Sequence, residues 1–232
     1  MGKQWSFALG VVLALAGVTA RAVELTTTEH QWLAAALPVL QFAREQALPL
    51  DIIVQLQPTS GETPLGMAFV DGRCKLVFSM RGNPEAQATL DRIEPSLVNA
   101  VVEAITAHEL AHCWRHLERA WGSVPEGLDD ERWRARVTDE QAELLAEMWR
   151  TRREEAYADL VGLAWTLKHH PDRYEEVHAW IVRLRDIQEV DTGPHDTRLW
   201  VRLAQDRQAF GAAASIFEQA RPLWVAGLRA GF

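Results

Sequence analysis

The chain has 232 residues, is 48% hydrophobic and carries a formal net charge of −8. That length favours one domain with a sizeable core. The acidic balance argues against nucleic acid or an anionic membrane surface as partners.

The first 22 residues stand apart in composition. Lys3 is the only charge before Arg21, an apolar run occupies 7–18, and Ala20-Arg21-Ala22 supplies a small-residue exit. A positive start, a short apolar run and such an exit describe a secretory signal peptide. The expected division is therefore a signal peptide at 1–22 and a single domain at 23–232, exported to a periplasmic or secreted location. An uncleaved N-terminal membrane anchor is the alternative, although the run is short for a span. After cleavage no stable membrane insertion is expected, and the remaining 22 basic and 32 acidic residues give a net charge of −10. An exported compartment would permit a disulfide between Cys74 and Cys113; two free buried thiols are the other reading.

Along the chain, residues 28–46 read as a helix capped by Thr27 or Thr28, with Pro38 as a kink. Three apolar, β-branched stretches at 51–57, 66–70 and 74–80 read as strands, and Asp71-Gly72 between the last two is a hairpin signal. A small antiparallel sheet is expected from them. Pro95-Ser96 opens a helix over about 97–119, with Ser96 as its expected N-cap. Gly122, Pro125 and Gly127 mark a loop, and the region 119–137 suits either a lid or a structured insertion. Thr138-Asp139-Glu140-Gln141 fits a capping box, from which a long helix runs to about Lys168. Pro171 starts another helical stretch to about Gln188, Gly193-Pro194 break it, and the remainder from about Thr197 reads as helical. The expected class is helix-dominated α+β.

The chemistry concentrates at His108-Glu109-Leu110-Ala111-His112. Residues four apart on a helix share a face, so both imidazoles can reach one metal ion, and the Glu between them can take a proton from a nearby water. A catalytic zinc needs a third protein ligand and an open position. No Gly-x-x-His follows His112, which argues against a metzincin arrangement. His116 extends the same face, but the helix rises about 6 Å over four residues, so one ion is hard to share. The better candidate is Glu155 on the long second helix. Asp159 lies four residues on and could fix the tautomer of a liganding His. Ala158 and Gly162 are small enough for that helix to approach closely. Glu154 points about 100° away from Glu155. A merely solvated acidic face is the plain alternative.

Taken together, the His108–His112 motif and the 155–162 stretch Glu-Ala-Tyr-Ala-Asp-Leu-Val-Gly resemble the gluzincin metallopeptidases, a group that includes thermolysin and the HtpX-type membrane proteases. The likeness spans residues 105–162 and does not select a subfamily. It implies a zincin-like fold, with the small sheet beside the active-site helix and Zn2+ held by His108, His112 and Glu155. It further implies Glu109 as general base and Asp159 behind His108. It also draws in His195 and Arg198, because related proteases place a His and then an Arg after this helix as donors to an oxyanion. A helix cap at Asp196 or Thr197, with His195 incidental, is the alternative. Tyr157 is a lesser donor candidate, expected to point into the core.

The expected activity is zinc-dependent hydrolysis of a peptide or protein substrate. The substrate would add as a strand along 74–80. A zinc-binding module without turnover and a zinc amidase acting on cell-wall material are the competing readings.

Overall fold

A computed structural model describes residues 24–58, 62–128, 138–187 and 193–230. The expected signal peptide and the 129–137 part of the expected lid lie outside the described residues. Helix α1 (Thr27–Glu45) begins one residue earlier than its sequence suggests, because Thr26 is the cap. The Thr26 hydroxyl accepts from the Glu29 amide, and the Glu29 carboxylate accepts from the Thr26 amide, at 3.2 and 2.7 Å. Glu29 is fully buried, and Arg81 pairs with it at 2.6 Å.

Three strands follow: β1 (Leu50–Val54), β2 (Leu65–Val70) and β3 (Arg73–Phe78). Asp71 and Gly72 both adopt positive φ, 52° and 71°, as a two-residue hairpin between β2 and β3 requires. The sheet is mixed, however, not antiparallel. Its order is β1-β3-β2, with β1 parallel to β3. The tight turn dictates only the β2–β3 pairing. The far side of β3 is open to any strand, and β1 fills it, placing Asp51 opposite Lys75, where it also pairs with Arg73. As a result β3 is the central strand, bonded on both edges, and cannot accept a peptide as an added strand. The expectation for 74–80 is corrected on that ground; β2 is an edge strand instead. On β3, Cys74, Leu76 and Phe78 alternate inward.

Helix α2 (Pro84–Asp91), capped by Asn83 with Pro84 in its first turn, is an element that the sequence reading left out. A 3-10 turn at Pro95–Leu97 then leads into α3 (Val98–Leu117). Ser96 does not cap α3 as expected. The turn is closed by backbone, with the Leu97 amide donating to the Glu94 carbonyl at 2.8 Å. After the 119–128 loop comes α4 (Asp139–His169), where Thr138 and Gln141 form the expected capping box. Then follow α5 (Tyr174–Ile187), α6 (Arg198–Leu203) and α7 (Ile216–Ala230). The stretch beyond Thr197 is therefore two helices rather than one, parted by a 3-10 turn at Arg207–Ala209 and irregular chain at 211–215.

The main core lies between α3 and α4, with α5, α6 and α7 on its outer side. The two central helices meet closely at Gly162: a Cβ there would sit 2.7 Å from the Ala104 carbonyl oxygen. A second apolar cluster under the sheet joins α1, α2 and β3 through Trp32, Leu76, Phe78 and Leu90. Cys74 and Cys113 are disulfide-bonded, which ties β3 to α3. The fold is thus a helix-dominated α+β arrangement around a small mixed sheet. Among the described residues no helix is long and apolar enough to cross a membrane.

Candidate metal centre

His108 and His112 stand one turn apart on α3, and their Nε2 atoms lie 3.1 Å from each other. From α4, the two Glu155 carboxylate oxygens reach them: Oε2 is 3.5 Å from His108 Nε2, and Oε1 is 3.4 Å from His112 Nε2. The close Gly162–Ala104 crossing brings the two helices near enough for this. An ion held tetrahedrally at 2.0–2.1 Å from each ligand separates its ligand atoms by about 3.3 Å. The three side chains already stand at that spacing, and the donor set of two imidazoles and one carboxylate suits zinc or a similar divalent cation. Among the described residues they form a group that could hold a metal ion.

Behind His108 lies a buried polar network. Its Nδ1–H donates to Asp159 Oδ1 at 2.9 Å, which orients the ring with Nε2 facing Glu155. Asp159 also accepts from Arg185 of α5, Nε at 2.8 Å and Nη2 at 2.6 Å, and from the Thr197 hydroxyl at 2.5 Å. Arg185 Nη2 is in addition 3.6 Å from Glu155. Arg185 and Thr197 escaped the sequence reading. Arg185 is one of two arginines on α5, and nothing local marks it.

Charge explains the titration of this cluster. Burial acts to lower the His108 pKa, but hydrogen bonds to Asp159 and Glu155 outweigh it and push the value up to about 10. Burial likewise opposes ionisation of Glu155, yet the two histidines hold its carboxyl well below the usual range. For Asp159 burial is again overcome, here by the charge of Arg185 and by hydrogen bonds from His108 and Arg185. The carboxylates that favour a proton on His108 would favour a cation in its place. Glu109 differs: burial in the cleft raises its pKa, as suits a group that must take up a proton.

The triad faces a cleft of about 490 Å3. Leu65, Gly66 and Met67 of the edge strand β2 line one wall, Ile105, Ile181 and Leu184 another, and Trp121 stands near His112. His195 also lines the cleft, its Nε2 3.9 Å from Glu155 Oε1 and its side chain half exposed.

Other expectations fall elsewhere. Arg198 does not line this cleft. Its guanidinium is held by Asp196, Nε donating at 2.8 Å, and it lines a separate cavity, because the first turn of α6 turns that side chain away from His195. His116 stacks on Phe69 with ring centroids 4.0 Å apart and takes no part in the triad. The Tyr157 hydroxyl donates to the Phe217 carbonyl inside the core. Glu154 turns the other way from Glu155 and binds Arg115. Asp196 accepts from the Arg198 amide at 3.4 Å, while Thr197 sits at the α6 N-cap without capping it and serves Asp159 instead.

No protein-family model matches this chain, and neither a curated protein nor a solved structure is similar to it.

Proposed function

We propose that this chain is an exported zinc-dependent peptidase of the gluzincin type. The observation that carries the reading is the joining of His108, His112 and Glu155 at ligand spacing, with Asp159 behind His108 and Glu109 one residue away on the cleft side. A zinc ion bound by those three residues would act as a Lewis acid and acidify water at its open position. Glu109, whose raised pKa suits proton uptake, takes the proton from water attacking the scissile carbonyl and delivers it to the leaving amine. His195, lining the cleft beside Glu155, donates to the carbonyl oxygen as charge develops there. Arg185 and Asp159 hold the His108 ring in one orientation throughout. The edge strand β2, bordering the cleft, replaces 74–80 as the backbone against which an extended peptide lies. The Cys74–Cys113 disulfide favours an oxidising compartment, in keeping with export.

A Glu109→Gln variant tests this directly. It is expected to bind one zinc per chain, as the wild type does, while hydrolysis of a peptide library falls by about 100- to 10,000-fold. A wild-type protein that takes up no zinc defeats the metal assignment. One that takes up zinc but cleaves nothing in the library defeats the peptidase assignment and leaves a binding module.

A further inference from the structure

The loop that gives His195 to the cleft gives Asp196 to a second cavity, of about 300 Å3, between α4 and α6. We propose that this second cavity is a binding site for a small organic carboxylate. The proposal is independent of the metal reading.

Arg152, Arg198 and Arg202 line the cavity together with Asp196 among the described residues. Asp196 is engaged by Arg198, through bonds of 2.8 and 3.1 Å. Arg152 is the informative member, because only 8% of it is exposed. Buried arginines are as a rule paired with a carboxylate, since an uncompensated buried charge is costly. Among the described residues no carboxylate lies within ion-pairing distance of Arg152. Its Nε and Nη2 instead donate to a single backbone carbonyl, Gly193, at 3.1 and 2.8 Å. Burial lowers the Arg152 pKa; the charge of Asp196 offsets this only in part, and Arg198 lowers it further.

The chemistry of the walls narrows the ligand. The planar guanidinium fork fits an oxyanion edge-on. The Trp149 ring lies 4.5 Å from the Arg152 guanidinium, and Trp149 and Leu199 give the cavity an apolar side. A carboxylate attached to a ring or an alkyl chain uses both surfaces; a bare inorganic anion uses one. Arg202, an exposed lining residue, adds positive charge to the cavity.

Isothermal titration of the chain with benzoate, acetate and inorganic phosphate tests the site. Benzoate is expected to bind, and acetate to bind at least about tenfold more weakly. Arg202→Gln is expected to weaken benzoate by roughly five- to tenfold with Tm unchanged, and Arg152→Gln to abolish binding. Should Arg152→Gln fail to fold, the exposed Arg202→Gln decides. Absence of benzoate binding up to about 10 mM overturns the site, as does an Arg202→Gln chain that binds benzoate like wild type. Phosphate binding as tightly as benzoate overturns the carboxylate assignment.

Discussion

Two neighbouring carboxylates show how one position on a helix separates chemistry from stability. Glu155 points into the cleft and meets both histidines, whereas Glu154, 1% exposed, binds Arg115 at 2.7 and 3.0 Å and accepts the Gly122 amide. Arg115 in turn holds the Ser123 carbonyl, so the pair anchors the loop after α3. Opposite outcomes are expected on truncation. Glu155→Ala should abolish stoichiometric zinc, measured by elemental analysis, with the fold retained. Glu154→Ala should cost about 3–5 kcal/mol in denaturant unfolding by stranding a buried guanidinium, with zinc retained in the folded protein. Equal zinc content in Glu155→Ala and wild type would remove Glu155 from the ligand set. Asp159→Asn should weaken metal binding by about 10- to 100-fold, because the amide no longer anchors the His108 Nδ1–H or Arg185 as an anion does. Competition with a chelator measures this. The pairs His108–His112 and Glu155–Asp159 were legible because each is four residues apart on one helix, while the joining of the two pairs rested on the family resemblance. Arg185 was not, since its partner Asp159 lies 26 residues earlier in the chain.

At the scale of elements, the α3–α4 crossing sets the site. The triad takes two side chains from one helix and the third from the other, so its dimensions follow the interhelical distance at Gly162. Gly162→Ala would place a methyl 2.7 Å from the Ala104 carbonyl oxygen, a backbone atom that cannot swing aside. The expected cost is about 1–3 kcal/mol, seen as a fall in Tm of roughly 2–4 °C per kcal/mol, together with weaker zinc binding. A variant with wild-type Tm and wild-type zinc affinity would show that the crossing distance is not what sizes the triad. The sheet gives the opposite lesson about legibility. Asp71-Gly72 marked the β2–β3 hairpin from two residues, but nothing near β1 announced that it would join β3 in parallel. The choice of edge strand, and with it the surface available to a peptide, follows from that second pairing.

Over the whole molecule, the Cys74–Cys113 bond closes a segment of 39 residues in sequence and joins the sheet to the helix that carries His108 and His112. Replacing both cysteines by serine should cost about 2–4 kcal/mol, through greater freedom of the unfolded chain, and lower Tm by roughly 5–15 °C. An unchanged Tm would show that the bond contributes little to the folded state. The sequence alone determined the helix-dominated α+β class, the capping box at Thr138, the hairpin, and the shared face of His108 and His112, because each depends on groups within a few residues of one another. Tertiary structure decided the rest: that α4 crosses α3 where Glu155 meets both histidines, that Arg185 and Thr197 converge on Asp159, that His195 turns to the cleft while Arg198 turns away, and that β3 is central. Those relations join elements far apart in the chain. They are set by which apolar faces can be buried together and which buried charges must find partners, and no short stretch of sequence holds both halves of such a pairing.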